Sequence, residues 1–320
     1  MMCDIINKVT KKLTSGSEFS KRSSGHMQQL KSYSCGVPEV PRSRIKFLKQ
    51  LGIGSFAKTY KGLLLAESPD ELPVTVAVRE LKENMPNSVR SDFLEELQFL
   101  ADLHHPNIMC LLGVITESEP ISMLFEVSSQ GCLPRFLMSH SPKSQESRSN
   151  GEADDFLRID ELYLIASQVA AGMEYLASRC YVYNALMASN CYVGENLLVK
   201  IYEAEIKCNR MYVAEDLLEI RWMPPEMLSK PHITLEVNVW NFGVVLWEIF
   251  SYGTKQPYQG LSSQEVVEKV KSLQLLECPD GCPAHAYDLM LKCWQGNPDK
   301  RPSFRNLHGW LKSWEGFPDS

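Results

Sequence analysis

The sequence lacks the features that would carry a chain into or through a membrane. No segment approaches the ~20 consecutive apolar residues that span a bilayer. The most apolar run, residues 242–250, is short and includes Glu248. The first residues contain no apolar core of a signal peptide, and Met2 stands where N-myristoylation requires glycine. We therefore predict a chain without a signal peptide, a transmembrane span or an N-myristoyl anchor.

The sequence also lacks an excess of positive charge and a clustered set of metal ligands. Its 320 residues carry a net charge of −6, which argues against nucleic acid as a partner. The ten cysteines are scattered, and only Cys278 and Cys282 lie close together. No second Cys or His pair follows them to complete a zinc site. We predict reduced, structural thiols in a cytosolic compartment.

Composition divides the chain into three parts. Residues 1–42 are polar and basic and predict a disordered arm. The alternative is a juxtamembrane-like segment held by acidic lipid, with Cys3 acylated. Residues 43–314 form the predicted domain, which contains a flexible serine-rich insert at residues 140–156. Residues 315–320 are a short tail.

The predicted secondary structure changes from strands to helices near the middle of the domain. From Ile45 to Val127, short apolar and β-branched runs predict strands, with one helix at Ser91–Leu103 where apolar residues recur at helical spacing. Beyond Gly131 the chain becomes mostly helical. The predicted helices there are Glu161–Ser178, Pro225–Leu228, Glu236–Ser251, Ser263–Ser272 and Ala284–Gln295. This order predicts an α+β fold with a small β-rich part followed by a larger helical part.

A glycine-containing turn lies between the first two predicted strands. Gly52 and Gly54 would let backbone N–H groups approach phosphates, but a Gly-x-Gly pair is equally compatible with an ordinary hairpin turn. Ala57 stands where a third glycine would complete the loop and narrows the space above a nucleotide. The next predicted strand ends in Arg79, and Glu96 lies on the following predicted helix.

Three lysines near this turn are candidates to contact a phosphate in place of Arg79. Lys82 lies an odd number of residues from Arg79, so it should face the opposite side of the strand and is a poor substitute. Lys58 and Lys61 could reach in from the turn, but a cation that positions a phosphate must be held precisely, which suits a regular strand better than side chains beside a turn.

Many spaced motifs of the sequence occur in the order found in protein kinases. They are His104–Ile108, Leu111–Gly113, Met123–Glu126, Ala170–Leu176, Arg221–Glu226, Trp240–Phe250, Gln256–Tyr258, and Cys293–Trp294 with Arg301–Pro302. The Arg-Trp-Met-Pro-Pro-Glu form at Arg221–Glu226 is typical of tyrosine kinases. In detail the chain resembles the receptor tyrosine kinase-like orphan receptor (Ror) family, and the resemblance covers about residues 43–314.

This resemblance implies a bilobal protein-kinase fold with a hinge near Glu126–Gly131, and it assigns roles to individual residues. The ATP site would be formed by Gly52, Gly54, Ala77, Arg79, Glu96 and Glu126, and magnesium would be held by Asn190 and Glu203. Glu96 would pair with Arg79, and Glu226 and Arg301 would form a buried structural ion pair. Asn238 stands where the family has an aspartate that supports the catalytic loop, and its amide oxygen can still accept backbone N–H bonds.

Four positions depart from the chemistry that the family uses. Ala185 replaces the aspartate that accepts the substrate proton, and a methyl group cannot accept a proton. Arg79 replaces the lysine that touches the phosphates, although a guanidinium is larger and planar. Glu203 replaces the metal-binding aspartate with a side chain one methylene longer, and Ser189 replaces the arginine of tyrosine-kinase loops. These roles cooperate, so we predict that no catalytic set is intact and that ATP and magnesium bind weakly or not at all.

Interior packing around the altered loop predicts a compensating exchange of volume. Tyr183 replaces a smaller histidine, whereas Ala204 replaces a larger residue of the family, so Tyr183 should point inward. Phe125 and Leu133 are predicted to belong to the core rather than to contact a ligand.

The sequence thus predicts a catalytically inactive Ror-type tyrosine-kinase-like domain that acts as a signalling scaffold or allosteric partner. The alternatives are a weakly active, atypical tyrosine kinase and an ATP-binding sensor without turnover. By resemblance, the expected partners are signalling proteins, an active kinase or a co-receptor, with a Wnt ligand bound only through an ectodomain outside this sequence. The expected location is the cytoplasmic side of the plasma membrane.

Overall fold

The computed structural model of the chain describes residues 36–68, 70–142, 156–183, 186–202, 217–229 and 232–314. The chain divides into two units. The described part of the first is residues 36–68, 70–104 and 109–127, and the second contains residues 105–108 and the described residues from Ser128 onward. The first is a β-sheet with one helix and the second is mainly helical. The predicted α+β fold with a β-rich and a helical lobe is confirmed.

The first unit is built on a five-stranded antiparallel sheet in the order β1-β2-β3-β5-β4. Its strands are β1 (Ile45–Ile53), β2 (Ala57–Leu64), β3 (Val74–Leu81), β4 (Leu111–Ile115) and β5 (Ser122–Glu126). Helix α1 (Asn87–Ala101) lies between β3 and β4 in the chain. Its apolar residues recur every three or four positions, so Phe93, Leu97 and Leu100 are buried together on one face.

The residues just before β1 are bound to the sheet. Val40 donates its N–H to the Val114 carbonyl (2.7 Å), and Val114 donates to the Pro38 carbonyl (3.0 Å), which extends the sheet beyond β4. The Val40 side chain is buried in the core of the unit. The Glu39 carboxylate accepts the N–H (2.6 Å) and hydroxyl (2.9 Å) of Thr116. Ordered contacts therefore begin before the predicted boundary at residue 43. The sequence did not indicate this, because a short segment that contains Pro and Glu gives no periodic signal. Residues 1–35 lie outside the described part.

The second unit contains a small antiparallel sheet and six helices among its described residues. The strands are β6 (Gly131–Cys132), β7 (Cys191–Val193) and β8 (Val199–Ile201). The helices are α2 (Leu133–Ser139), α3 (Ile159–Ser178), α4 (Leu235–Phe250), α5 (Ser263–Lys271), α6 (Ala284–Cys293) and α7 (Phe304–Trp314). Helix α4 is capped by Thr234 and is buried on all sides from Val237 to Phe250. The most apolar run of the sequence is therefore the core of this unit.

The long periodic segments were predicted to within a few residues, and the short irregular ones were not. The predicted helix at Pro225–Leu228 is a series of turns. Helices α2 and α7 and the small sheet were not predicted as elements. Most of the predicted insert, residues 143–155, and the tail, residues 315–320, lie outside the described part. Among the helices that the structure describes, none has the length and apolarity needed to cross a bilayer.

Candidate functional site

The glycine-containing turn joins β1 to β2 in the first unit. Gly54 donates its N–H to the Ala57 carbonyl at 2.9 Å, which closes the turn. A Cβ atom added at Gly52 would meet nothing within 4 Å, and one at Gly54 would lie an ordinary 3.6 Å from the Ala57 oxygen. Neither glycine has a positive φ. The folded unit itself therefore does not demand glycine at either position, and the space beside them is open.

Arg79 on β3 and Glu96 on α1 form a buried, two-pronged ion pair. The Arg79 Nη1–Glu96 Oε1 distance is 2.9 Å and the Nη2–Oε2 distance is 3.4 Å. The side chains are 1% and 4% exposed. The guanidinium also lies 5.8 Å from the centre of the Phe93 ring, within reach of a cation–π interaction. The predicted pair is therefore present. Both terminal nitrogens of Arg79 contact Glu96, because the planar guanidinium matches the two oxygens of a carboxylate.

The nearby lysines do not take the place of Arg79. Lys82 lies one residue beyond β3, and its amine donates to the Ser55 carbonyl (3.1 Å) at the tip of the glycine-containing turn. The Lys82 backbone N–H donates to the Phe56 carbonyl (2.8 Å). Lys58 and Lys61 are exposed on β2. Lys82 thus ties the turn to the end of β3, and among these side chains only Arg79 is paired with Glu96.

The other predicted residues of the first unit lie on β3 and β5 of the same sheet, where Ala77 is paired with Phe125. Ala77 precedes Arg79 by two residues on β3, so the two side chains share a face of the sheet. The Glu126 carboxylate accepts the Cys110 N–H at 2.7 Å. Phe125 is 1% exposed. Leu133, in the second unit, is also fully buried, so the prediction that both apolar residues belong to the core is confirmed.

In the second unit, Asn238 on α4 supports the segment that contains Tyr183. The Tyr183 N–H donates to Asn238 Oδ1 (2.8 Å), and Asn238 Nδ2 donates to the Tyr183 carbonyl (2.6 Å). The Tyr183 side chain is 2% exposed and donates its hydroxyl to the Tyr202 carbonyl (2.8 Å). Tyr183 therefore points inward, as predicted, and it binds the chain just before Glu203. Its expected exchange of volume with Ala204 lies outside the described residues.

Ser189 and Asn190 lie in a short 3₁₀ turn, Ala188–Asn190. Ser189 is exposed and Asn190 is half-buried. The Asn190 carbonyl accepts the Tyr202 N–H at 2.9 Å, so the backbone that precedes Glu203 is fixed to this turn. Ala185 and Glu203 themselves lie outside the described residues, so the magnesium site predicted at Asn190 and Glu203 stays a prediction.

Glu226 and Arg301 form the predicted ion pair. Their two contacts measure 2.6 Å (Nη1–Oε1) and 3.0 Å (Nη2–Oε2). Arg301 is completely buried, whereas the Glu226 side chain is 31% exposed. Arg301 also donates to the Gln295 carbonyl (2.9 Å) and packs over the Trp240 ring. The pair therefore joins the segment around Glu226 to α4 and to the chain before α7.

Sequence reasoning missed Glu248, a buried acidic residue on α4 that binds the 3₁₀ turn at Ala188–Asn190. Its Oε2 atom accepts the Ala188 N–H (3.1 Å) and the Trp222 indole N–H (3.0 Å). Burial raises the pKa of Glu248 to about 7, although these two hydrogen bonds act to lower it. The available signal was a single acidic residue inside an otherwise apolar run.

This carboxyl group should make stability depend on pH. The folded chain keeps the Glu248 proton up to about pH 7, whereas the unfolded chain releases it near its ordinary pKa. Stability therefore falls as the pH rises through this interval. Between about pH 5 and about pH 8, the loss from this group is about 2–3 kcal/mol. Glu248→Gln should remove that part of the pH dependence in chemical unfolding curves. The exposed Glu195→Gln should keep the slope of the parent chain, and an unchanged slope in Glu248→Gln would contradict the assignment.

Comparison with known proteins places this arrangement in a family. Residues 45–311 match the protein tyrosine and serine/threonine kinase family. The chain is 44% identical over 276 residues to the tyrosine-protein kinase transmembrane receptor Ror of Drosophila melanogaster, covering 84% of this chain and 38% of that protein. It is 39% identical over 285 residues to the BDNF/NT-3 growth factors receptor of Gallus gallus, covering 87% and 34%.

A third relative is the NT-3 growth factor receptor of Sus scrofa, which is 37% identical over 286 residues and is covered to 34% of its length. The chain thus spans about a third of the length of these relatives, and the matched part contains the glycine turn, the Arg79–Glu96 pair and the Glu226–Arg301 pair. The chain belongs to the protein tyrosine and serine/threonine kinase family, and its kinase domain is of the Ror type.

Proposed function

We propose that this Ror-type domain is catalytically inactive and acts in signalling through contacts with other proteins. The observation that carries the proposal is the buried Arg79–Glu96 pair. Arg79 is 1% exposed and both of its terminal nitrogens contact Glu96. The guanidinium therefore has almost no surface at which a phosphate oxygen could bind, and a planar fork cannot act as the compact charge of a lysine.

The residues of the reaction itself also support the proposal. Ala185 cannot accept the proton of a tyrosine hydroxyl, which a catalytic aspartate would take. Glu203 would hold magnesium on a longer side chain, which suits octahedral geometry poorly. Because a base, a phosphate-binding cation and a metal ligand act as a unit, losing all three should leave very little phosphoryl transfer.

ATP is the cofactor that the family normally binds, and two features of the first unit have opposite consequences for its binding. The buried Arg79 does not fit a triphosphate, so we propose that binding of ATP with magnesium is weak or absent. The open space beside Gly52 and Gly54 favours a second candidate, in which the domain binds a nucleotide without turning it over. A weakly active, atypical kinase is the third candidate.

One experiment with two measurements separates these candidates. The full chain is incubated with radiolabelled ATP, magnesium and a tyrosine-containing peptide, beside the variant Asn190→Ala. We expect the same background in both samples, because no family-type transfer occurs that a metal ligand could support. Label in the parent chain that disappears in Asn190→Ala would establish an enzyme and overturn the proposal.

The second measurement is thermal unfolding with and without ATP and magnesium. We expect little or no stabilisation of the parent chain, since binding to the folded state alone would raise its melting temperature. A clear rise that is lost in Gly52→Val would support the nucleotide-binding candidate. Gly309→Val, at an open glycine position on α7, is the control for a substitution without a ligand effect.

The name of one relative indicates where the domain would act and with which proteins. The name of the Drosophila melanogaster relative describes a transmembrane receptor, so we propose that this domain works on the cytoplasmic side of the plasma membrane. Its partners would then be signalling proteins, an active kinase or a co-receptor. A Wnt ligand would act on it only through a part of the receptor outside this sequence.

A further inference from the structure

Strand β1 is a free edge of the sheet in the first unit. The strand order places β2 on one side of β1, and the described part of the chain supplies no strand on its other side. An edge strand presents a row of backbone N–H and C=O groups that an extended segment of another chain can bind. Every residue of β1 after Ile45 is exposed, so this edge is open to a partner.

One face of the ribbon formed by β1 and β2 carries apolar side chains into solvent. Residues that pair across antiparallel strands point to the same side. Ile45 and its partner Leu64 belong to the buried core, which identifies this face. Phe47 lies on it as well, since its partner Gly62 is two residues from Leu64. Ile53 lies on it too, because its partner on β2 is four residues before Gly62. Phe47 is 38% exposed and Ile53 is 61% exposed, so this face offers apolar contacts at the edge.

The opposite face of the ribbon is basic. Lys49 pairs with Lys61 across the two strands. Lys61 is next to Gly62 in the chain, so both lysines point away from the apolar face. Lys46 pairs with Leu63 and shares the basic face. All three lysines are exposed, and none forms an ion pair with an acidic residue of the described part. Like charges directly opposite each other destabilise a sheet, so the fold gains nothing from the Lys49–Lys61 pair.

The charge of the ribbon is opposite to that of the whole chain. Strands β1 and β2 contain four lysines, Lys46, Lys49, Lys58 and Lys61, and no acidic residue, whereas the chain has a net charge of −6. Pairing of this edge with the same edge of a second copy would bring lysines against lysines, which disfavours it. A membrane surface cannot contact both faces of the ribbon at once, and lipid cannot satisfy the backbone groups of the edge. The complementary partner is therefore an extended protein segment with acidic side chains.

We propose that the free edge of β1 binds an extended acidic segment of a partner protein as an additional strand. Successive side chains of an added strand alternate between the two faces. Acidic residues of the partner would lie beside Lys46 and Lys49, and the apolar residues between them would lie beside Phe47 and Ile53. The bound sequence therefore alternates acidic and apolar residues, in the mode of strand addition to a sheet edge. This surface would serve the protein contacts proposed above, so the assignment rests on that proposed function.

The test is fluorescence anisotropy of a short labelled peptide that alternates glutamate and valine, titrated with the full chain in the absence of ATP. We expect saturable binding that weakens as the salt concentration rises. A peptide of the same composition with its glutamates and valines in separate blocks should bind more weakly, because it cannot match both faces. Methylation of every backbone nitrogen of the alternating peptide should abolish binding, since it removes the hydrogen bonds of an added strand and keeps the charge.

Charge reversal on the basic face tests the protein side of the contact. Lys49→Glu combined with Lys61→Glu should weaken binding of the alternating peptide by roughly tenfold or more. Ile53→Ser should weaken binding without changing its salt dependence, because it removes only an apolar contact. Lys271→Glu combined with Lys300→Glu is the matched control at two exposed positions in the second unit. It changes the net charge by the same amount and should bind like the parent chain.

Hydrogen exchange of the parent chain is a second measurement that needs no variant, and bound peptide should slow amide exchange in residues 46–53. Equal binding of the methylated and unmethylated peptides would overturn the proposal, as would equal binding by the parent chain and the variant with Lys49→Glu and Lys61→Glu. Binding of the parent chain to phosphatidylserine vesicles but not to the peptide would assign the lysines to a lipid surface and also overturn it. None of these readouts involves phosphoryl transfer, so this surface and the proposed inactivity can fail separately.

Discussion

Replacing Glu96 with leucine is expected to lower the free energy of unfolding by about 3–5 kcal/mol, because it removes the carboxylate that binds the buried Arg79 guanidinium. Arg79 is 1% exposed and its two terminal nitrogens contact the Glu96 carboxylate. Without that carboxylate the guanidinium would stay charged, since arginine does not lose its proton in proteins, and it would lose the two-pronged contact that offsets its burial. Chemical unfolding of the full chain, followed by circular dichroism, measures the loss.

The double variant Arg79→Met with Glu96→Leu provides the matched control. Two apolar side chains of similar length should pack beside Phe93 and recover much of the loss, because an apolar pair does not have to give up hydration. The double variant is therefore expected to be more stable than Glu96→Leu alone. A double variant as unstable as the single one would show that packing, and not the unpaired charge, determines stability there.

The same pair shows how far the sequence could predict the site. Arg79 and Glu96 were predicted to pair because they match the strand lysine and the helix glutamate of the kinase family, and regular elements then fix the direction of each side chain. Glu226 and Arg301 were predicted only through the family resemblance, since 75 residues separate them. No local pattern encodes a contact across that distance.

The features that were missed depend on a few tertiary hydrogen bonds. The attachment of Val40 to Val114 and the role of Glu248 arise from partners far along the chain. An isolated acidic residue in an apolar run signals that a partner exists, because a buried charge without one is costly, but it does not say which partner. The inward direction of Tyr183 was predicted from volume, whereas its bond to the Tyr202 carbonyl was not.

Asn238 is a position at which the family residue can be restored, since the family has an aspartate there. Changing Asn238 to aspartate is expected to destabilise the chain by roughly 3 kcal/mol, although it restores the family residue. The amide binds both backbone polar groups of Tyr183: Oδ1 accepts from the Tyr183 N–H and Nδ2 donates to the Tyr183 carbonyl. A carboxylate would place a second oxygen 2.6 Å from that carbonyl oxygen, in a site where the residue is completely buried. Urea unfolding at about pH 8 measures the effect.

The pH dependence identifies the cause of that loss. A protonated aspartate at position 238 could donate to the Tyr183 carbonyl, so the folded variant should hold its proton to a higher pH than the unfolded chain does. The variant should therefore be closer to the parent chain at about pH 5 than at about pH 8. Asn297→Asp is the matched control, because Asn297 only accepts a hydrogen bond, from the Asp299 N–H (3.1 Å), and a carboxylate can do the same. That control should change stability by less than about 0.5 kcal/mol. A loss in Asn238→Asp that is equal at both pH values would contradict the donor role of the amide, because a pure packing defect does not depend on a proton.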